Sequence, residues 1–159
     1  MGFQTTVNQY QAPAVEGDFA SANPRASVLP SDGVMVAASG GVTVGRFAWV
    51  SGNTVSNAGS GVPAGFIHRD HQALNFNLLS EATMVIPQGF AVTVHNQGDF
   101  WARSATIATV GQKVFASNTD GTIKTDAAGA TVAGFTETKW SVASAGAANE
   151  LIKISSWVL

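Results

Sequence analysis

The sequence predicts an all-β protein: an antiparallel β-sandwich or barrel preceded by an extended N-terminal arm. Three observations carry that prediction. Short apolar runs alternate with polar residues and recur at roughly the 8 to 12 residue spacing of such folds. The 17 glycines among 159 residues fall mostly between these runs, beside Asn, Asp and Pro. No stretch of ten or more residues carries the spacing of an amphipathic helix.

Residues 1–33 form the predicted arm and residues 34–159 the β-sandwich domain. Three of the five prolines, Pro13, Pro24 and Pro30, lie in the arm. Proline fixes φ and restricts the residue before it, so regular helix is disfavoured there. The apolar residues Phe3, Val7, Tyr10, Val15, Phe19 and Val28 follow no period. Phe3, Tyr10 and Phe19 read as anchors that need a surface, either a neighbouring subunit or the chain's own domain.

From Val34 the pattern becomes strand and turn. Val34–Ala37 is a first strand, and Ser39-Gly40-Gly41 a turn. Val42 and Val44 share a face, then the phase flips at Gly45-Arg46 and Phe47 and Trp49 become the apolar pair, which reads as a β-bulge. Asn57–Gly61 and Pro63–Gly65 make a loop. Leu74, Phe76 and Leu78 repeat every second residue, as do Ala82, Met84 and Ile86. Pro87-Gln88-Gly89 reads as a type II turn. Phe90, Val92 and Val94 point one way, with Thr93 and His95 opposite, and Asn96–Asp99 is a turn leading into Phe100–Arg103. Asn118-Thr119-Asp120-Gly121 between Lys113–Ala116 and Thr122–Lys124 is a hairpin signal. Trp140–Val142 and Leu151–Val158 close the chain, with Ile152 and Ile154 opposite Lys153.

Composition narrows the function. Charged residues are 11% of the chain, against about 25% in an average soluble protein. The net charge is −2, and the Lys and Arg residues are scattered singly. A nucleic-acid binder shows a basic excess or patch, so no nucleic-acid partner is expected. No run approaches the ~20 apolar residues of a membrane span, so no membrane partner is expected. A low-charge exterior desolvates cheaply, which suits a protein packed against neighbours. There is no cysteine and hence no disulfide framework. Met1–Thr6 fits an N-myristoylation pattern short enough to occur often by chance.

The motifs of chemistry are missing. His68, His71 and His95 are the three histidines. On a strand or loop His68 and His71 do not converge, two ligands make no zinc site, and all three read as surface residues. Gly59-Ser60-Gly61 is too short for a nucleophile elbow. There is no phosphate-binding loop, dinucleotide fingerprint or calcium loop. The acids are dispersed, so no catalytic residue, cofactor or metal is expected. The four tryptophans are Trp49, Trp101, Trp140 and Trp157. Trp49 and Trp140 sit in alternating patterns that favour burial, and Trp157 is the best interface residue. Exposed in a row, the four would instead form a sugar-stacking face.

Several segments resemble phage structural cement proteins: Met1–Val7, Val15–Arg25, Val42–Trp49, Val55–Gly59, the Gly65-Phe66 pair and Ile86–Phe90. The resemblance covers most of residues 1–105 and thins beyond, where Gly111–Ala116 and Asp120-Gly121 fit. These are packing and turn motifs, so their specificity lies in co-occurrence and order. The resemblance implies a jellyroll-like sandwich on the outer surface of a tailed-phage capsid, in the virion. It implies a non-enzymatic cement, or decoration, protein that bridges neighbouring major capsid subunits and stabilises the shell. The implied partners are the major capsid protein and further copies of the chain, a homodimer before a trimer. On this reading Phe3, Tyr10, Phe19, Arg25 and Trp157 make capsid or subunit contacts. The alternative function is a carbohydrate-binding β-sandwich on a virion or secreted protein.

Overall fold

The computed structural model describes residues 14–70 and 83–157, and the repeat at Leu74, Phe76 and Leu78 lies outside them. Among the described residues the protein is all-β. In chain order the strands are β1 (Ala26–Ser27), β2 (Val36–Ala37), β3 (Val42–Thr43), β4 (Phe47–Ser51), β5 (Thr54–Ser56), β6 (Gly65–Ile67), β7 (Val85–Ile86), β8 (Val94–Gln97), β9 (Asp99–Arg103), β10 (Lys113–Ser117), β11 (Ile123–Asp126), β12 (Phe135–Val142) and β13 (Leu151–Ser155).

Two large sheets pack as a sandwich. One has the order β1-β8-β6-β4-β5-β2 and the other β11-β10-β12-β13-β9, with β3 and β7 forming a separate pair. Among the described residues the strand pairs are antiparallel except β2 with β5, which is parallel. Both sheets curl back on themselves. Val36 bridges Ala91, and Val92 and Ala37 exchange backbone hydrogen bonds with Met35 and Phe90. The far strand β2 is thereby joined to the segment that runs into β8. In the second sheet, residues 104–107 leave β9 and seal the β11 edge. Ala105 donates to the Ile123 carbonyl, and the Thr125 hydroxyl donates to the Ile107 carbonyl. Open edges offer unpaired backbone groups to other chains, and these closures remove them.

The core has two clusters, one on each side of β4 and β6. The first holds Val42, Val44, Ala48, Val55, Ile67, Ile86 and Val94. The second lies between the sheets and holds Phe47, Phe66, Phe100, Val114, Ile123, Trp140, Ile152 and Ile154. Side chains of a strand alternate between faces. Phe47 and Phe66 therefore enter the second cluster while their neighbours Ala48 and Ile67 enter the first. At its centre the Phe66 ring lies 5.4 Å from Phe47, 5.0 Å from Phe100 and 6.3 Å from Trp140.

This arrangement corrects the bulge reading at Gly45-Arg46. The phase flip is real, but it marks a change of sheet. Val42 and Val44 belong to one cluster, Phe47 and Trp49 to the other, and Gly45 turns the chain with φ +73°. The Asn57 side chain holds that turn. Its Oδ1 accepts from the Thr43 amide at 2.6 Å, and its Nδ2 donates to the Thr43 and Phe47 carbonyls. Asn57→Ala strands three part-buried backbone groups and is expected to cost about 2 kcal/mol, read as a lowered denaturant midpoint at unchanged slope.

Other elements follow the sequence closely. The Asp120-Gly121 hairpin joins β10 to β11, and Gly121 has φ +69°. Ile152 and Ile154 are buried, with Lys153 half-buried between them. The turn after β7 is where the sequence places it: Phe90 donates to the Pro87 carbonyl, so Pro87 is its first residue and Gly89, at φ +80°, its third, the position that needs positive φ in a type II turn. Phe90 does not share the face of Val92 and Val94; it is 42% exposed while they are buried.

Candidate contact surface

Residues 15–27 run along the junction of the two large sheets. Gly17 donates to the Trp101 carbonyl, Trp101 to Asp18 and Ala20 to Asp99, a short antiparallel ladder on β9. β1 then pairs with β8, placing Ser27 opposite His95. Gly17 permits the close approach: a Cβ there would sit 3.0 Å from the Arg69 amide. Polar ties lie beside the ladder. Asp18 accepts from Arg69 Nε at 2.8 Å, and Asp99 Oδ2 accepts from Ser21 and Asn23, each at 2.6 Å. Glu16 faces Arg103 at 3.4 Å. Burial raises the Glu16 pKa, with Arg103 opposing. Burial alone would raise Asp99, but hydrogen bonds from Ser155, Ser21 and Asn23 hold it below its usual value.

Phe19 is the centre of this strap. Its ring stacks on His68 at 5.1 Å and meets His95 edge-on at 5.6 Å and Phe100 at 5.3 Å. The Arg25 guanidinium carbon lies 3.9 Å from the Phe19 centroid, a cation–π contact. Phe19 remains 36% exposed and Arg25 is exposed, so both present an outer face as well as an inner one.

The sequence reading of surface histidines fails at His95, which is 6% exposed. Its Nε2 lies 2.9 Å from His68 Nδ1, a hydrogen bond between two imidazoles. Burial, then the neighbouring His68 and Arg25, depress the His95 pKa to about 4. Burial also lowers His68, with Asp70 opposing. The pairing was missed because the two rings are separated by 27 residues and meet only across adjacent strands. Alternation places His95 opposite Val94, on the expected solvent side, and here the Phe19 strap covers it. His71 lies outside the described residues.

The remaining expected contact residues divide. Phe3 and Tyr10 lie outside the described residues. Trp157 is 37% exposed and lines a cavity of about 280 Å³ with Ser21, Asn23, Asp99 and Lys153. The other tryptophans do not join it in an exposed row. Trp140 is buried, Trp49 is half-buried with Nε1 donating to the Gly61 carbonyl, and Trp101 is half-buried with the Lys153 ammonium 5.1 Å from its ring. The stacking face that a carbohydrate-binding module needs is therefore not built from these four residues. Elsewhere the surface carries single apolar side chains: Leu29 is 89% exposed, Val62 69%, Ile107 68%, Val110 62% and Val34 60%. Among the described residues no group of three or more His, Cys, Asp or Glu could hold a metal.

The family model described as XM1 gp53 minor capsid protein matches residues 3–156. The chain belongs to that family. It is a phage capsid component, located in the virion. Four chains of solved structures also match. One of them, in the structure titled "The capsid of Myoviridae Phage XM1", superposes with a TM-score of 0.66 at 20% identity, covering 98% of each chain. At that identity the superposition establishes a shared fold. Comparison with curated proteins found no match. As a minor capsid protein the chain has a setting in which an exterior of scattered apolar side chains and few charges is expected to meet other subunits.

Proposed function

We propose that this capsid component is a cement protein. It binds the outside of the phage head, lies across the seam between neighbouring major capsid subunits, and stabilises the shell without catalysing a reaction. The observation that supports this reading is the exterior itself: 11% charged residues together with Leu29, Val34, Val62, Ile107 and Val110 each at least 60% exposed. Such a surface desolvates at low cost and gains apolar burial against a neighbour. A component that binds only the assembled shell shifts the assembly equilibrium toward it, and many copies multiply a modest contact.

In this reading residues 1–33 are the contact arm and residues 34–159 the β domain. Phe3 and Tyr10 engage a neighbouring subunit, and the exposed faces of Phe19, Arg25 and Trp157 border that contact. The chain pairs with further copies of itself, as a dimer before a trimer, through the β domain. Nucleic acid and membrane are not partners.

The test is rebinding to expanded shells that lack the protein. Full-length chain should bind at fixed stoichiometry and raise the temperature at which the shells release DNA. Deleting residues 1–13 is expected to weaken binding about tenfold, near 1.4 kcal/mol, with the thermal midpoint of the free protein little changed. A cut at residue 25 would also remove the ladder on β9, so the truncation stops at 13. Undiminished rebinding by the truncated chain contradicts the role given to the arm, and no rebinding by the full chain contradicts the cement reading.

A further inference from the structure

We propose that the strap over residues 15–27 is an acid-operated latch, held shut by the neutral His68–His95 pair and released when both rings are protonated. The observations are geometric. A single proton serves the 2.9 Å contact, one ring donating and the other accepting. When both rings are protonated each nitrogen is a donor, and the hydrogen bond is replaced by repulsion between two cations. The strap is what lies against this pair: Phe19 stacks on His68 and abuts His95, and β1 pairs directly with His95 through Ser27.

The charges around the pair favour release. Arg25, on the strap, already disfavours a cation at both rings. Asp70, beyond β6, favours a cation at His68 but is exposed and weaker than burial. From β6 and β9 the pair is faced by the uncharged rings of Phe66 and Phe100. His95 Nδ1 is buried without a well-formed hydrogen bond, and the loose contact to the Ala26 backbone on the strap only partly compensates a charge there. Protonation is therefore relieved outward through the strap, the segment whose Phe19 lies against both rings.

The linkage has a definite sign. The folded His95 pKa lies near 4, below its ordinary value of 6.5, so the closed state binds fewer protons than the open one. The stabilisation of the closed strap is complete above about pH 6.5 and is lost as pH falls toward 4. Two of the three carboxylates at the strap ladder, Glu16 and Asp99, behave differently. Glu16 has a raised pKa and favours the closed state on acidification. Asp99 stays ionised below its usual value of 3.8, so it titrates under this window.

Amide hydrogen exchange on the full-length free protein, corrected for the pH dependence of intrinsic rates, tests the latch. Between pH 7 and pH 4.5 the exchange of Gly17, Ala20 and Trp101 is expected to accelerate about tenfold or more, while Ile152 and Ile154 in β13 keep their protection. The midpoint should coincide with the titration of the His68 and His95 imidazole resonances. His95→Phe should remove the pH dependence of the three strap amides. The imidazole titration in the unsubstituted protein decides the case independently of whether that variant folds. Unchanged strap exchange at pH 4.5, loss of protection shared equally by β13, or a midpoint displaced from the imidazole titration would each overturn the proposal.

Discussion

Phe66→Ala is expected to destabilise the protein by about 4 kcal/mol, the upper part of the range for removing a buried aromatic ring. Phe66 has no exposed surface and is in ring contact with Phe47, Phe100 and Trp140, so three elements, β4, β9 and β12, lose a common partner on β6. β6 is also paired on both sides, to β4 and β8, and cannot move inward to fill the space. A cavity that cannot collapse is the costly kind. Equilibrium denaturation of the free protein measures the effect. A loss below about 1.5 kcal/mol would mean that the two sheets are not held together at this cluster.

Gly65→Ala is expected to be at least as damaging, although it adds only a methyl group. A Cβ at Gly65 would lie 2.2 Å from the His95 carbonyl oxygen and 2.7 Å from its carbon, both backbone atoms of the adjacent strand. Neither can rotate away, so β6 and β8 must separate, opening the first cluster at Ile67 and Val94 and disturbing the His68–His95 contact. The expected result is a chain that fails to fold or loses more than about 3 kcal/mol. Gly89→Ala provides the contrast. Gly89 has φ +80° but nothing within 4 Å of its Cβ position, so only conformational strain of about 1 kcal/mol is at stake. If the two substitutions cost the same, steric closeness at Gly65 is not what fixes the strand pair.

Both sites show how much of the fold was legible. Gly65-Phe66 could be quoted as a motif, and alternation marked Phe47 and Trp49 as an apolar pair. A single sequence does not say that a strand is covered on both faces. The second face of β4 and β6 is covered through Ala48 and Ile67, which belong to a separate cluster. Local signals were read best: the Asp120-Gly121 hairpin depends on conformations accessible within four residues, and β10 and β11 pair as expected. Closure of the sheets was not legible, because Val36 with Ala91 and Ser104 with Ile123 join segments distant in the chain, and a strand pattern does not name its partner.

Of the expected contact residues, Phe19, Arg25 and Trp157 lie among the described residues and are partly or largely exposed. An aromatic in a proline-containing, aperiodic arm singled out Phe19 as an anchor, and its inner face rests on the surface of its own chain, through His68, His95 and Phe100. Its outer face, like Leu29, Val34 and Ile107, is exposed. The histidine pair escaped the sequence reading because a histidine's charge state is set by burial and by neighbours brought in from elsewhere in the chain. Low charge, by contrast, is a property of composition and needed no coordinates.

A reconstruction of the intact virion at a resolution that resolves strands tests the central claim most directly. The account predicts density for this two-sheet fold on the outer surface of the head, touching at least two major capsid subunits, with the segment before Val15 leading onto a neighbour. Density for the fold inside the shell, or in contact with one capsid subunit alone, would contradict it.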